Sequence, residues 1–272
     1  MRFKAFIYDE EGTSEVIGYL LVFMIITASI GIIMVFGIPT IDTARESLTF
    51  QKAENNFENI HTNIQDLSRG STTGSGISEE ILIGSGEGMV RVLPTSGEIT
   101  IRKNNSNGDL DKVYNGSVGN INYQIGNQVI GIENGGFFSK NIDSDLSYIS
   151  SNPRFTIFYE NESDLFINLH IINLKGDEQG FDGERELTFH NEGFTIITES
   201  EGVANCKEIS IEIESDFAYA WAGFFERELN ESDINHLNLD ENKEEVTINI
   251  VNSGDNVEDI KLNIYETKIY VD

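Results

Sequence analysis

Between Val16 and Ile38 the chain runs for 23 residues without one charged side chain. Gly, Ser, Thr and Tyr are its only polar interruptions. As an α-helix at about 1.5 Å per residue it measures roughly 35 Å, enough for a bilayer core of about 30 Å. A soluble core rarely encloses a helix of that length on every side, so the segment reads as a membrane span. Arg2 and Lys4 precede it. Basic flanks favour the cytoplasmic side, and the acids Asp9, Glu10 and Glu11 weigh little in that rule. The expected orientation is N-terminus inside and the bulk of the chain outside. A removable secretory signal needs a shorter apolar core and small residues at its cleavage point. The stretch "VFGIPTIDTA" has no A-x-A spacing, so the helix is expected to be retained.

Past Pro39, the residues Ile41, Ala44, Leu48, Ala53, Phe57, Ile60, Ile64 and Leu67 recur mostly at three- and four-residue steps. That period predicts an amphipathic helix, closed by Gly70 and the Ser/Thr/Gly cluster that follows. Pro39 either kinks the helix or marks the membrane exit. An apolar stripe of this kind needs a partner, either the head of the same chain or another copy of the helix.

From Ile77 the texture changes to short runs rich in Ile, Val, Phe, Tyr and Thr, such as "GEITIRKN", "LFINLHIINL" and "EVTINIVN". Turn pairs separate them: Asn107-Gly108, Asn115-Gly116, Asn134-Gly135 and Asp182-Gly183. Strict alternation at Ile209, Ile211, Ile213 and at Val246, Ile248, Ile250 implies half-buried antiparallel strands. "DFAYAWAGFFERELN" predicts one helix, with Asp216 as N-cap and Phe217, Trp221, Phe224, Phe225 and Leu229 on its apolar face. Packing onto the sheet is the expected role of those aromatics, with a ligand pocket as the other reading. The expected fold class is α+β: a leader at 1–12, a membrane-spanning and amphipathic stalk helix at 13–68, and a mainly antiparallel β-sandwich-like head at 77–272.

Net charge is −28, from 46 acidic and 18 basic residues dispersed along the chain. Such a surface repels phosphates and anionic lipid, which argues against nucleic acid as a partner. It also suits high salt, where screening weakens self-repulsion, so a halophilic setting is expected. The single cysteine, Cys206, excludes an intrachain disulfide and reads as a small buried apolar residue.

Motifs for chemistry are scarce. His61, His170, His190 and His236 form no H-x-x-x-H pairing, and no nucleophile elbow, phosphate loop or dinucleotide fingerprint occurs. The acid-rich "GDEQGFDGERE" (176–186) lacks the EF-hand spacing and is read as a solvated hairpin loop. No cofactor, metal site or enzymatic activity is expected. Four N-x-[ST] sequons, at Asn104, Asn115, Asn161 and Asn230, are glycan acceptor candidates in turn-like surroundings.

The segment "DEEGTSEVIGYLLVFMIITASIGIIMVFGIP" resembles the N-terminus of archaeal type IV pilin-like proteins. More narrowly, its "SEVIGYLLVF" start is similar to haloarchaeal pilin-like surface proteins with a larger β-rich external part. "INYQIGNQVIGIENGGFFSKN" and "AWAGFFERE" add a more general likeness. The resemblance implies a class III signal peptide: a prepilin peptidase cuts between Gly12 and Thr13, on the cytoplasmic side, and leaves the apolar helix attached. It implies packing against other pilin subunits through that helix, and a role as a minor pilin or adhesion subunit at the cell surface. Glu15 would be third in the mature chain, whereas bacterial-type pilins carry the assembly glutamate fifth. The proline common at that third place in archaeal pilins is absent. Once Thr13 is exposed, its amine, with an ordinary pKa of about 8, can pair with Glu15 at the membrane lip. The alternative for Gly12 and Glu15 is helix capping, with the carboxylate favoured in the first turn by a few tenths of a kcal/mol. Two other functions stay open: a non-polymerising single-span surface protein whose head binds a ligand, and a membrane-tethered hydrolase.

Overall fold

From Glu10 to Arg69 the chain is helical throughout: α1 (Glu10–Ile32), a π-helical turn (Ile33–Gly37) and α2 (Ile38–Arg69). A computed structural model describes residues 10–69, 76–81, 88–104, 109–144, 146–160, 164–183, 185–198, 204–229, 234–240, 244–251 and 260–272, with residues 10–15, 76–81, 160, 164, 204–205 and 235 as backbone. Two compact units result, Met1–Leu48 and Thr49–Asp272, so the boundary falls inside α2 rather than at its end.

In the first unit every residue from Val16 to Phe36 is exposed. Thr27 and Ser29 turn their hydroxyls back onto the carbonyls of Phe23 and Ile25, each at 2.8 Å. These two hydroxyls are thus satisfied within the helix, as a lipid environment demands. Pro39 does not end the helix. Its nitrogen has no hydrogen for the ladder, and the wider π turn directly ahead of it accommodates the missing bond.

In the second unit Ala53, Phe57, Ile60, Ile64 and Leu67 of α2 are buried. Ile41 and Leu48, earlier on the same stripe, are exposed. From Ala53 onward the stripe therefore finds its partner in the β-rich part of the same chain.

That part holds two sheets. One runs β1 (Gly76–Ile81), β10 (Arg185–Ile196), β15 (Ile260–Val271), β8 (Asp164–Lys175), β7 (Phe155–Glu160), with β11 (Ala204–Cys206) beside β15. The other runs β13 (Ile234–Leu239), β14 (Glu245–Val251), β12 (Glu208–Glu214), β2 (Met89–Asn104), β3 (Leu110–Ile125), β4 (Gln128–Glu133), β5 (Gly136–Asn141), β6 (Leu146–Ser151), with β9 (Gln179–Phe181) beside β2. All pairs are antiparallel except β8 with β15, which run parallel from Phe166↔Lys261 to Lys175↔Tyr270. The α+β class with a mainly antiparallel head is what the sequence predicts.

The long strands bury different faces at their two ends. On β8, Leu165, Ile167, Leu169 and Ile171 enter a core shared with Ile99, Ile101, Ile211, Ile248 and helix α3 (Ala218–Glu228). Two residues of opposite parity, Ile172 and Leu174, enter a second core with Val92, Ile121, Phe189 and α2. On β3 the change falls between Val118 and Ile121. Gly119 sits at the crossing, where a Cβ would lie 2.8 Å from Leu174 Cβ and Pro94 Cα. The segment β3–β5 is therefore covered by α3 on one face and by α2 on the other.

Three local expectations are corrected. Asn115-Gly116 is not a turn but lies within β3, opposite Thr100 and Ile99, with Gly116 against the Tyr114 hydroxyl. Asp216 does not cap α3: the N-cap is Phe217, whose amide donates to Ser215 Oγ at 2.9 Å. The Ala220 N–H at the start of α3 donates both to the Phe217 carbonyl and to Ser147 Oγ of β6, each at 2.9 Å. The acid-rich 176–186 segment is exposed at Asp177, Glu178, Asp182 and Glu186, yet it is no hairpin. It carries the chain from one sheet to the other, because β9 pairs with β2 and β10 with β1 and β15. Asn134-Gly135 does form the β4–β5 turn, with both φ angles positive, 46° and 67°. Asn107-Gly108 lies outside the described residues.

Candidate functional site

The tip of the β4–β5 hairpin ties three elements together through consecutive residues. The Gly135 carbonyl accepts from His61 Nε2 at 2.9 Å and from Gln65 Nε2 at 2.7 Å, both on α2. Asn134 Oδ1 accepts the Ile172 N–H of β8 at 2.7 Å. In the last turn of α2, where carbonyls run out of backbone partners, tertiary donors join Ser68 Oγ, which donates to the Gln65 carbonyl at 2.7 Å. Arg154 donates to the Gln65 carbonyl at 3.1 Å and to Ser68 Oγ. Asn191 Nδ2 donates to the Leu67 carbonyl at 2.8 Å. Burial lowers the pKa of His61, and burial together with the Arg154 charge pushes His170 down to about 4. The amphipathic half of the long helix is thus held by a polar latch as well as by its apolar stripe.

Glu133, the third residue of that tip, is fully buried beneath α3. Its Oε1 accepts Ser215 Oγ and Trp221 Nε1, each at 2.7 Å. Asn120, its cross-strand neighbour on β3, lies beside it, while Glu133 Oε2 and Asn120 Nδ2 lack hydrogen-bond partners. Burial pushes the Glu133 carboxyl up to about 7, against the opposing pull of Ser215 and Trp221.

On the first sheet, the face of β7, β8, β15 and β10 turned away from the α3 core is open. Register places its side chains in rungs. Phe158, Phe166 and Lys261 form one; Thr156, Asn168 and Asn263 the next; His170, Tyr265 and Ile196 the third; Thr267 and Phe194 follow. Phe158 stacks on Phe166 at 4.8 Å and 6°, and Lys261 Nζ lies 4.2 Å from the Phe166 ring centre on β8. Phe194 stacks on Tyr265 at 5.8 Å, with His170 edge-on to Phe194. Asn263 Nδ2 donates to Asn168 Oδ1 at 2.8 Å. Phe158, Phe194 and Ile196 remain 42%, 43% and 49% exposed. A separate cleft of about 370 Å³ beside α2 is lined by Glu54, Glu58, His61, Thr62, Phe137 and Ser150.

The residues singled out from the sequence are dispersed. Gly12, Thr13 and Glu15 all lie in the first turns of α1, which starts at Glu10, so neither Gly12 nor Thr13 begins the helix. Asn104 Oδ1 accepts the Lys207 and Glu208 amides at 2.9 and 3.3 Å. Asn115 is mid-strand rather than in a turn, and its Nδ2 donates to Glu98 and, at 2.9 Å, to Thr100 Oγ1. Asn161 and Asn230 lie outside the described residues. Cys206 is buried, as expected. Among the described residues no three His, Cys, Asp or Glu side chains converge as metal ligands. Sequence reasoning missed Glu133, Arg154 and the open aromatic face. The face did leave a trace, since in "LFINLHIINL" Phe166 and His170 alternate with residues that are themselves core.

One family model, described as a family of unknown function (DUF7289), matches residues 12–267. No curated protein and no solved structure matches the chain.

Proposed function

We propose that this chain, which belongs to the family of unknown function DUF7289, is a type IV pilin-like, membrane-anchored surface protein. A prepilin peptidase trims its leader, its apolar helix stays in the membrane, and its acidic β-rich head stands outside as a minor pilin or adhesion subunit. The observation that carries this reading is the helix itself. It is long and apolar enough to cross a membrane, its apolar stretch is wholly unburied, and it continues without interruption into α2. The exposure of Ile41 and Leu48, an apolar surface available to neighbouring helices, supports the same reading.

A second reading, a single-span surface protein that does not polymerise, is favoured by one observation: Glu15 stands third from Thr13, not fifth. Shearing native cells separates the two. A filament fraction containing this chain supports the pilin-like role, whereas recovery solely in the membrane pellet supports the monomeric one.

A further inference from the structure

We propose that Glu133 makes the β4–β5 hairpin a pH-sensitive switch: protonated, it seats α3 and keeps the α2 latch closed, and ionised, it moves toward water and releases the last turns of α2. Three consecutive residues at the tip each engage a different element. Glu133 accepts from Ser215 and from Trp221 of α3, Asn134 accepts from β8, and Gly135 accepts from His61 and Gln65 of α2. Asn134 and Gly135 both have positive φ, so the three contacts sit on one tight two-residue turn and shift together. Past the turn, β5 is clasped by both helices. Phe137 lies against His61 of α2 with ring centres 6.4 Å apart, and Phe138 stacks on Phe217 at the start of α3 at 5.2 Å.

The surroundings of Glu133 suit a neutral acid. The side chain is buried, and its Oε1 takes two donors while Oε2 takes none. A buried carboxylate with one bare oxygen is far costlier than the carboxylic acid in the same place. The charged groups on the packed elements supply no counter-ion. Asp216, beside Ser215, has the same sign and raises the Glu133 pKa further. Lys140 of β5 donates to the Asp216 carbonyl at 3.2 Å. Arg154 is engaged by α2, and Arg227 of α3 by Asn152 and Glu228. His170, down at about 4, and His61, lowered by burial, are uncharged near neutral pH. From β3 comes the neutral Asn120, whose Nδ2 makes no hydrogen bond to Oε2. With the Glu133 carboxyl raised to about 7, the latch is closed below that pH and loosened as pH rises through it.

The switch lies wholly within the β-rich part and stands whether or not the chain forms filaments. Its test is amide hydrogen exchange followed by mass spectrometry on the full-length chain in zwitterionic micelles, from about pH 5.5 to about pH 8.5, with intrinsic rates divided out. Residues 60–68 and 218–228 are expected to lose protection across that range by at least about tenfold, while β12 and β14 stay more protected than either. Glu133→Gln, which cannot ionise, is expected to hold residues 60–68 at one level of protection throughout. Asp216→Asn, a change at an exposed position, removes the like charge and is expected to move the midpoint of loosening to lower pH. That surface variant keeps the test readable even where the glutamine variant fails to fold. Protection of residues 60–68 that ignores pH overturns the proposal, as does an undiminished response in folded Glu133→Gln or an unmoved midpoint in Asp216→Asn. Loss in α2 solely in step with β12 and β14 overturns it as well, because that pattern marks unfolding of the whole β-rich part rather than release of the latch.

Discussion

Glutamine in place of Glu133 converts a buried acid into a neutral amide of nearly the same shape. Its Oε1 can keep the hydrogen bonds from Ser215 and Trp221, so the substitution isolates ionisation from packing. The folded pKa of Glu133 is raised from the ordinary 4.5 to about 7. The folded chain therefore holds this proton more tightly than the unfolded chain. The resulting stability is fully present below pH 4.5 and is lost as pH rises through 7. The interval corresponds to about 3 kcal/mol. For a unit of this size that is roughly 6–12 °C of melting temperature. Relative to Glu133→Gln, wild type should lose that much between pH 4.5 and 8. His170 acts in the opposite sense: its lowered pKa costs stability as pH falls from 6.5 toward 4. Comparing variant with wild type at each pH cancels that contribution. The assay is thermal unfolding followed by Trp221, the single tryptophan, which reports at the Glu133 hydrogen bond itself. A Glu133→Gln curve parallel to wild type from pH 4.5 to 8 would refute the reasoning.

Two further perturbations address the latch. Gly135→Ala places a Cβ at φ 67° and 2.7 Å from Ile172 Cδ1, and should destabilise by about 1–3 kcal/mol in chemical denaturation; an unchanged midpoint contradicts the turn geometry. Arg154→Ala removes the guanidinium that donates to the Gln65 carbonyl and to Ser68 Oγ, leaving the Gln65 carbonyl with the Ser68 hydroxyl. It should cost about 1–3 kcal/mol and speed amide exchange in the last two turns of α2 ahead of the rest of the head.

How much of this was legible depended on whether the deciding contact was local. The span Val16–Ile38 and the alternation of Ile209, Ile211, Ile213 with Val246, Ile248, Ile250 carry their burial in their own period. Asn134-Gly135 reads correctly as a turn because both residues tolerate positive φ. Asn115-Gly116 carries the same signature, but pairing of β3 with β2 overrides it. Along α2 Ile41, Ala44 and Leu48 follow the same three- and four-residue steps as Phe57, Ile60 and Ile64, so periodicity cannot say where the head begins to cover the helix. Glu133 reads as an ordinary acid beside a turn, and only α3, contributed some eighty residues later, buries it. Ser147 capping α3 and Arg154 closing α2 are tertiary events of the same kind. The open aromatic face was obscured because β8 is apolar on both faces for part of its length.

The measurement that bears most directly on the anchored, pilin-like account is the mass of the N-terminal peptide of the native protein from its membrane fraction. The account predicts a mature chain that starts at Thr13 and still contains Val16–Ile38. A native chain that begins at Met1, or one that begins beyond Ile38, would contradict it.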